Sequence, residues 1–464
     1  MGVLDDPLAI PRVECTFDNS RHGSAKGERE MTELNRRTFF TTTAGAVAAG
    51  SLAARASAAG PNDTIRAAVL GVNGRGTAHI DSFMKTPGVK VAVLCDPDSV
   101  ILDRRAQDFE KRYGVKVETE TDLRKVFDRK DIDVVSVATP NHWHALATIW
   151  AVQAGKDVYV EKPGTHNIFE GRKMIEAAKK YNRIVQHGVQ LRSSEAVQEA
   201  VDHLRKGTIG KVYMARGLVY RNRPSIGHAK DPDTPPKTLN WDIWQGPAPE
   251  RAFSKRIVHY NWHWHWNYGN GDVGNQGIHE TDMCLWGLGL ETFPSEIIAM
   301  GGKFLFDDDK ETPELLTSSY MFPETNQMIE FEVRPWATNS EAGAGVGNLF
   351  YGSNGYLVIR GYNHYEIFLG QRGEPGPKRS DGDPLVKHFA NFIEAVRARK
   401  TSIQHGPVET AHTASGLAHL GNIAYRLGRK LKFDPKAEKF VGDTEADGML
   451  TRHYRAPYIV PENV

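Results

Sequence analysis

The sequence predicts an α/β domain built on a doubly wound parallel sheet, followed by an α+β domain with a large, mainly antiparallel open sheet. Three observations support this fold class. From residue 65, short apolar runs alternate with amphipathic stretches, as strands and helices do in a parallel sheet. A glycine-rich segment follows the first apolar run, and after about residue 188 the segments become rich in Thr, Tyr, Trp and Phe, with many Gly and Pro.

The first domain is expected over residues 62–188. Its buried strands should be continuous runs of Val and Ile, as at residues 134–137, because helices cover both faces of a parallel sheet. The predicted strands are residues 65–70, 90–95, 134–138, 157–160 and 184–187, and the predicted helices are residues 78–85, 100–113, 144–154 and 168–180.

The second domain is expected over residues 189–464 and begins with one or two helices. We predict strands at residues 211–219, 296–306, 316–322, 328–333 and 355–359, loops at 231–237 and 342–347, and helices at 384–399 and 407–429. The C-terminal residues beyond the last helix should form an extended tail that docks on the rest of the chain.

Composition narrows the class of partner. The chain has 464 residues, 40% of them hydrophobic, and a formal net charge of +1. That length suits two or three domains with a sizeable core. Because no long run of like charge occurs, neither nucleic acid nor an acidic membrane surface is expected as a partner. The expected partner is a small molecule.

Residues 1–58 have the parts of an export signal. Residues 35–40 are Asn-Arg-Arg-Thr-Phe-Phe, a weakly apolar stretch covers residues 41–54, and residues 56–58 are Ala-Ser-Ala. This order resembles a twin-arginine signal with its cleavage site. A membrane anchor is the alternative, but the stretch falls short of the ~20 strongly apolar residues that span a bilayer. We expect export to the periplasm or another extracytoplasmic space, with no membrane attachment after signal removal.

The first motif that carries chemistry is the glycine-rich turn after the first predicted strand. Glycines permit a tight turn and let backbone amides at a helix N-terminus approach a pyrophosphate, so the segment predicts a Rossmann dinucleotide site. Asn73 stands where the usual pattern has its middle glycine, and an ordinary strand-to-helix turn is the alternative. The turn consists of Gly71, Val72, Asn73, Gly74, Arg75 and Gly76.

Asp96 ends the second predicted strand and favours the dinucleotide interpretation. A carboxylate at this place can accept hydrogen bonds from an adenosine ribose. The same carboxylate would repel a 2′-phosphate, so NAD is the expected cofactor and NADP is less favoured. The alternative is a turn-forming aspartate in the Asp-Pro-Asp segment at residues 96–98.

Two further motifs follow the next strands. Residues 139–144 are Thr-Pro-Asn-His-Trp-His, and residues 161–163 are Glu-Lys-Pro. Open α/β sheets bind ligands at such carboxyl ends of strands. With the glycine turn and Asp96, in this order, the motifs resemble the Gfo/Idh/MocA family of sugar-type dehydrogenases. The resemblance covers about residue 62 to the C-terminus.

The resemblance implies cofactor-binding and catalytic residues. In that family, the lysine of Glu-Lys-Pro lies beside the nicotinamide and the substrate hydroxyl, which maps onto Lys162. Its ammonium would stabilise developing alkoxide charge; a solvated loop lysine is the alternative. The implied cofactor-binding residues are Gly71, Asn73, Gly74, Arg75, Gly76, Asp96, Thr139, Pro140, Asn141, His144, Glu161 and Lys162.

Residues 269–286 supply the second catalytic candidate. If the chain is helical from about Asn275, then Asn275, His279 and Asp282 share one helix face. The family commonly has Asp-x-x-x-His-x-x-Asp here, and its histidine acts as general base or acid, which assigns that role to His279. Asn275 stands where the family often has Asp, so an orienting carboxylate is missing, and Asp272 could replace it. A core helix with an ordinary histidine is the alternative.

The aromatic segment over residues 261–268 is a candidate sugar-binding surface, since Trp faces stack on sugar rings. A sheet or dimer interface is an equally weighted alternative. By analogy with the family, Gln190 and Arg192 also belong to the substrate pocket. The implied substrate-binding residues are Gln190, Arg192, Trp264, Trp266, Asp272, Asn275 and His279.

No metal site is predicted. Two histidine pairs have suggestive spacing, but no further ligand accompanies either pair. The cysteines of the mature chain are expected to be buried, unpaired thiols. The residues concerned are His142 with His144, His263 with His265, and Cys95 and Cys284.

These expectations favour an oxidoreductase that transfers hydride between a carbohydrate or polyol and NAD. Because a pool of free cofactor is doubtful outside the cytoplasmic membrane, NAD should be tightly bound. Two alternatives stay open: a redox-neutral NAD-dependent glycosidase, whose family pattern lacks the lysine at position 162, and a non-catalytic sugar- or NAD-binding protein. The resemblance also implies a homo-oligomer.

Overall fold

The computed structural model describes residues 64–229, 233–336 and 339–464. These residues belong to one compact unit, Ala59–Val464. The expected twin-arginine segment and Cys15 lie outside the described residues, and so do Asp231 and Pro232 of the predicted loop. None of the helices in the described part of the chain is both long and apolar enough to cross a membrane.

The first sheet has six parallel strands in the order β3-β2-β1-β4-β5-β6. This confirms the predicted Rossmann domain with its doubly wound sheet. Its strands are β1 Ile65–Leu70, β2 Val89–Cys95, β3 Glu118–Glu120, β4 Val134–Val137, β5 Asp157–Val160 and β6 Val185–His187. Its helices are α1 Gly76–Lys85, α2 Ser99–Tyr113, α3 Leu123–Asp128, α4 Asn141–Gln153 and α5 Ile168–Lys180.

Alternate residues of these strands enter two separate cores. Val135 and Val137 of β4 pack with α3, α4 and α5, whereas Val134 packs with α1 and α2 on the opposite face. Both faces are therefore dry, which explains the continuous apolar runs. The sequence analysis missed β3 and α3, because β3 is a polar edge strand of three residues and α3 is too short to show a helical period.

The second sheet has ten strands in the order β14-β13-β12-β11-β7-β10-β9-β8-β15-β16. Only the β7–β10 pairing among these described strands is parallel, so the predicted mainly antiparallel sheet is confirmed. The strands are β7 Val212–Tyr220, β8 Glu296–Gly302, β9 Leu315–Phe322, β10 Gln327–Arg334, β11 Val346–Gly352, β12 Gly355–Arg360, β13 His364–Leu369, β14 Glu374–Ser380, β15 Leu431–Asp434 and β16 Lys439–Phe440.

One face of this sheet carries the core of the second half. Alternate residues of β9 are buried against helices, as the period of a half-buried strand requires. The helices of this half are α6 Glu195–Arg205, α7 Trp241–Gln245, α8 Gly271–Asn275, α9 Ile278–Leu288, α10 Leu385–Ala398, α11 Val408–Leu427 and α12 Thr444–Asp447. The predicted strand at 296–306 is too long, since β8 ends at Gly302, and β11 and β13–β16 were not predicted.

The end of the C-terminal segment docks on the first domain, whereas its earlier part forms β15, β16 and α12 and is not extended throughout as predicted. Tyr458 and Val460 are buried in the core that contains α3, α4 and α5. The Tyr454 hydroxyl donates to the buried Glu170 carboxylate of α5, and the Arg452 guanidinium donates to the His142 carbonyl. The last residues of the chain therefore pack on the first domain, where they contact α4 and α5.

Candidate active site

A cavity of about 570 Å3 opens at the carboxyl ends of β1, β2, β4 and β5 and is closed from the other side by residues of the second half. Most of the expected site residues line it. They are Gly71, Asn73, Gly74, Arg75, Asp96, Thr139, Pro140, Asn141, His144, Glu161, Lys162, Gln190, Asn275 and His279. Five expected residues do not line it, namely Gly76, Arg192, Trp264, Trp266 and Asp272.

The turn after β1 fits a dinucleotide. Gly71 has φ of +82°, and a Cβ there would lie 2.6 Å from the Ala138 carbonyl oxygen. A Cβ on Gly76 would lie 2.0 Å from the Gly71 carbonyl oxygen, so both positions exclude any side chain. Arg75 precedes α1 without capping it through its side chain. The Thr77 and Ala78 amides in the first turn of α1 donate to the Gly74 and Arg75 carbonyls, so an anion such as a pyrophosphate would meet the amides of the glycine turn itself.

The Asp96 carboxylate is fixed against this turn. Its Oδ2 accepts from the Val72 amide at 3.0 Å, and its Oδ1 accepts from the Asp98 amide at 3.1 Å. Burial raises the pKa of Asp96. Each oxygen keeps a second lone pair for a ribose hydroxyl. The turn-forming role and the ribose-binding role that the sequence left as alternatives are therefore compatible at this residue.

His144 joins the loops that follow β4 and β5. Its Nδ1 lies 2.5 Å from the Pro163 carbonyl oxygen, and its Nε2 lies 2.7 Å from the Thr139 carbonyl oxygen. Burial lowers the pKa of His144, and a neutral imidazole donates to one of these oxygens at a time. These two contacts hold the loops after β4 and β5 together. The side-chain amide of Asn141 donates to the side-chain oxygen of Asn270 at 3.3 Å.

His142 packs away from His144 and its Nε2 contacts the Trp244 carbonyl oxygen at 2.9 Å. His265 instead contacts Glu311 at 3.2 Å. Among the described residues, no group of three or more His, Cys, Asp or Glu side chains is arranged to hold a metal ion. Cys95 and Cys284 are buried free thiols, and burial raises the pKa of both.

Glu161 is a buried carboxylate, and both of its oxygens have hydrogen-bond partners within the protein. Its Oε1 accepts from Arg75 Nε at 2.7 Å and contacts His79 Nε2 at 3.0 Å, and its Oε2 accepts from the Lys162 amide at 3.1 Å. Burial acts to raise the pKa of Glu161, but the Arg75 charge and the His79 hydrogen bond outweigh it and hold the pKa well below its usual range. Glu161 thus positions Arg75 and the backbone of Lys162 through direct contacts.

Lys162 and His279 line the same cavity. Lys162 Nζ donates to the carbonyl oxygen of Asn275, and burial lowers the pKa of the ammonium. His279 is 3% exposed, and its Nδ1 is buried without a hydrogen-bond partner in the described chain. Burial, and then the charge of Lys162, hold the pKa of His279 well below 6.5, so its imidazole is neutral near neutral pH.

The predicted continuous helix from about Asn275 is wrong. Helix α8 ends at Asn275 and α9 begins at Ile278, so Asn275 does not share a helix face with His279 and Asp282. The break falls at Gly277, where a Cβ would lie 2.4 Å from the Phe331 ring and 2.6 Å from a backbone oxygen. This close packing on β10 requires glycine and turns the chain before α9.

Asp272 and Asp282, which lie before and after His279 in the sequence, each form an ion pair with an arginine. Asp272 makes a bidentate ion pair with Arg223 at 2.7 and 2.9 Å, so it does not replace the orienting carboxylate. Asp282 makes a bidentate pair with Arg192 at 2.8 and 2.9 Å. Arg192 is thereby paired within the protein, and it does not line the cavity.

The expected aromatic sugar surface is only partly at the cavity. Trp264 is buried beneath Arg223, whose guanidinium lies 5.5 Å from the ring centroid, and Trp266 lies beneath Arg426 at 5.0 Å. Trp262 of the same segment does line the cavity. Residues 261–264 form a helical turn and not an extended strand, so Trp262 lines the cavity and Trp264 and Trp266 do not.

Several cavity residues were missed by the sequence analysis. Tyr362 comes from the turn between β12 and β13, and its ring centroid lies 5.1 Å from that of His279. No local pattern marks it, because the sheet topology alone brings that turn to the cleft. The other polar or aromatic lining residues outside the expected site residues are Trp143, Arg221, Arg223, Trp244, His259, Tyr260 and Gln276, with Trp262 and His263 of the aromatic segment.

The fold and the cleft define a two-domain oxidoreductase that binds NAD. The chain belongs to the Gfo/Idh/MocA family. Residues 65–189 match the model described as "Oxidoreductase family, NAD-binding Rossmann fold", and residues 211–301 and 380–460 match that described as "Oxidoreductase family, C-terminal alpha/beta domain". The two matches together cover more than half of the chain.

Curated relatives match over a shorter region. An alpha-N-acetylgalactosaminidase of Shewanella oneidensis is 31% identical over 175 residues, and a glycosyl hydrolase family 109 protein of Shewanella baltica is 31% identical over 174 residues. Each match covers 32% of this chain, and the chain spans only 38% of the length of these relatives.

Solved structures show the same fold across both domains. The aldose-aldose oxidoreductase of Caulobacter crescentus, complexed with glycerol, has a TM-score of 0.61 at 18% identity, and the match covers 80% of this chain and 100% of that one. The WlbA dehydrogenase of Bordetella pertussis, complexed with NADH and UDP-GlcNAcA, has a TM-score of 0.60 at 17% identity and coverages of 80% and 99%.

Proposed function

We propose that the protein is an NAD-dependent oxidoreductase that transfers hydride between a carbohydrate or polyol hydroxyl and a tightly bound nicotinamide. One observation carries this proposal: Lys162 and His279 line the cavity that also contains the glycine turn and Asp96. A reacting group placed at that pair therefore shares the cleft with a nucleotide bound along the strand ends. The solved neighbours named above are an aldose-aldose oxidoreductase and a dehydrogenase complexed with NADH and UDP-GlcNAcA, which favours a sugar substrate.

His279 is assigned as the proton acceptor in the oxidation direction. Because burial keeps its imidazole neutral, it can take the hydroxyl proton as the C–H bond breaks. When bound, NAD supplies the acceptor for the hydride that leaves with the electron pair of that bond. In the reduction direction, the protonated imidazole returns the proton to the oxygen.

Lys162 is assigned to the substrate oxygen. Its ammonium is buried in the cleft and donates one hydrogen bond to the Asn275 carbonyl, which leaves two protons for other acceptors. A positive charge held in a desolvated site stabilises the alkoxide that develops on the oxygen. Glu161 and Arg75 hold the backbone from which this side chain extends.

The test is a panel of sugars, polyols and glycosides added to the purified NAD-loaded protein. Reduction of the bound cofactor, followed by its absorbance and fluorescence, should occur with at least one member of the panel. The cofactor should also copurify at close to one molecule per chain. An empty cleft with weak NAD affinity would refute tight binding, and a loaded protein that no member reduces would refute the oxidoreductase proposal.

A redox-neutral glycosidase is the second candidate, and the curated relatives named as glycosyl hydrolases favour it. Such an enzyme would release the aglycone of a glycoside while its NAD content ends unchanged. Lys162 argues for the dehydrogenase, because the glycosidase pattern lacks this lysine. Release of chromophore from nitrophenyl glycosides, N-acetylgalactosaminide included, separates the two. A protein that binds sugar without either reaction would be a non-catalytic binder.

The location and assembly of the protein are also proposals. The paired arginines at positions 36 and 37 support export by the twin-arginine route to the periplasm or another extracytoplasmic space. A reporter fused after residue 58 should be exported, and Arg36→Lys with Arg37→Lys should keep it inside the cell. A homo-oligomer is proposed from the family resemblance, and light scattering of the purified protein would show a monomer if this is wrong.

A further inference from the structure

Arg221 supplies a positive charge at the cavity wall that no carboxylate of the described chain neutralises. It follows the last residue of β7, and its amide donates to the Arg334 carbonyl at 3.1 Å. Its guanidinium donates to Gln276 Oε1 at 2.6 Å, a neutral acceptor, and the side chain is exposed to the cavity. No ion pair joins it to any described residue.

The other arginines of the cavity are neutralised. Arg75 pairs with Glu161 at 2.7 Å, and Arg223 pairs with Asp272 at 2.7 Å. Arg221 therefore differs from its neighbours in having donors and a full charge left for a ligand. A guanidinium with this freedom is suited to a carboxylate or a phosphate, both of which accept two parallel hydrogen bonds.

Glu280, which Gln276 links to Arg221 through hydrogen bonds, does not neutralise the arginine. Glu280 is fully buried and its Oε1 accepts from Gln276 Nε2 at 3.2 Å, while its Oε2 has no partner in the described chain. Burial raises the pKa of Glu280 to about 8, so the carboxyl is mostly neutral at pH 7. The Gln276 side chain thus connects Arg221 to the neutral carboxyl of Glu280. The positive charge of Arg221 at the cavity wall is therefore not cancelled.

Arg221 is also linked to the reacting end of the cavity. Gln276 Oε1 accepts from Tyr362 OH at 3.3 Å, and the Tyr362 ring lies 5.1 Å from the ring of His279. The glycine turn that fits a pyrophosphate belongs to a different element, at the N-terminus of α1. The turn and Arg221 line the same cavity, and the contacts through Gln276 and Tyr362 to His279 favour a group of the substrate over one of the nucleotide as the ligand of Arg221.

We propose that Arg221 binds an anionic group, a carboxylate or a phosphate, of the carbohydrate substrate, so that the protein selects sugar acids or sugar phosphates over neutral sugars. This inference rests on the proposed function for its substrate class. The anion fixes the orientation of the sugar, and Lys162 and His279 act on a hydroxyl elsewhere on the same molecule.

The experiment compares matched ligands on the NAD-loaded protein. Glucuronate, glucose 6-phosphate and glucose, with galacturonate and galactose as a second set, differ in the presence and type of the anion. Affinity is measured by calorimetry and turnover by cofactor reduction, for the wild type, Arg221→Gln and Arg372→Gln. Arg372 lies exposed in the turn between β13 and β14, away from the cavity, and controls for the loss of one positive charge.

We expect the wild type and Arg372→Gln to prefer at least one anionic ligand over its neutral partner by at least about tenfold, and Arg221→Gln to lose that preference. The comparison of glucuronate with glucose 6-phosphate identifies whether Arg221 binds a carboxylate or a phosphate. The affinities test the role of Arg221 even if no ligand is turned over. An absence of turnover would refute the proposed function and would leave the role of Arg221 to the binding data. Equal affinity for neutral and anionic ligands, or weaker NAD binding as the main effect of Arg221→Gln, would overturn the inference.

Discussion

The Lys162 ammonium donates a hydrogen bond to the backbone carbonyl of Asn275, across the cleft between the first sheet and the helices of the second half. The family resemblance suggests a carboxylate at position 275, and an asparagine there raises the question of whether the site is complete. The structure shows that the main chain at this position holds the lysine. The identity of the side chain matters less than the path of the backbone at the end of α8.

Asn275→Ala should therefore reduce kcat by less than about fivefold, because the carbonyl that holds Lys162 remains and the lost side-chain bond to Tyr260 is weak, at 3.3 Å. Steady-state kinetics on the best substrate of the panel would check this. A loss as large as that of the lysine variant would show that the side chain itself contacts the reacting groups.

Lys162→Met should reduce kcat by about 10²–10⁴-fold while the protein still carries NAD, because it removes charge stabilisation and leaves the glycine turn intact. The matched control is Lys111→Met on the exposed face of α2, which should match the wild type. Single-turnover reduction of the bound cofactor gives the chemical step directly. Unchanged turnover in Lys162→Met would exclude this lysine from the reaction.

The pH profile of oxidation should reflect the low pKa of His279. The base is active when neutral, and burial with the Lys162 charge moves its protonation below the usual value of 6.5. Thus kcat/KM should stay level as pH falls through 6.5 and decline only at more acidic pH, and His279→Gln should abolish that decline along with most activity. An acidic limb centred at or above pH 6.5 in the wild type would contradict the assignment.

Glu161→Gln should destabilise the protein by about 1–3 kcal/mol, because Arg75 loses its buried partner but is itself partly exposed. In the wild type, the depressed pKa of Glu161 makes this contribution fully present above pH 4.5 and lost only as pH falls through the lower, folded-state value. Urea unfolding at several pH values tests this. Glu118→Gln, which breaks an exposed pair with Arg129, is the control and should cost about 0–1 kcal/mol.

Gly71→Ala should destabilise the fold by about 1–3 kcal/mol and weaken NAD binding, because a Cβ at φ +82° meets the Ala138 carbonyl at 2.6 Å. Gly74→Ala is the control, since a Cβ there has nothing within 4 Å, and its stability should equal that of the wild type. Thermal unfolding and NAD titration of both variants would decide. Equal stability of the two variants would show that the turn tolerates a side chain.

The residues expected from the sequence line more of the cavity wall at the strand ends, where the cofactor is proposed to bind, than of the wall from the second half, the proposed substrate side. Gly71, Asp96 and Glu161 each follow directly on a buried strand, and Thr139 follows one residue later, so a local pattern located them. The substrate side is assembled from turns and short helices of the second half. Tyr362 reaches it through a turn between two strands, and no spacing in the sequence could predict that.

The charged side chains near His279 that do not line the cavity share one physical feature. Arg192, Asp272 and Asp282 have the residue types of a sugar-binding site, but buried charges must be paired, and each finds its partner within the protein. Which charge is paired and which is left for a ligand depends on distances between distant segments. Arg221 is the arginine among the described cavity residues whose side chain has only a neutral partner, and no pattern in the sequence marks it.

The sequence by itself determined the two-domain fold class and the glycine turn, because strand periodicity and turn chemistry are local properties, and the resemblance to the family supplied the candidate pair Lys162 and His279. Tertiary structure decided that helix α9 starts after a break at Gly277, that the Asn275 backbone holds Lys162, and that Arg221 faces the cavity. These follow from the packing of α8 and α9 on the second sheet, since steric contact and charge pairing act between residues far apart in the chain.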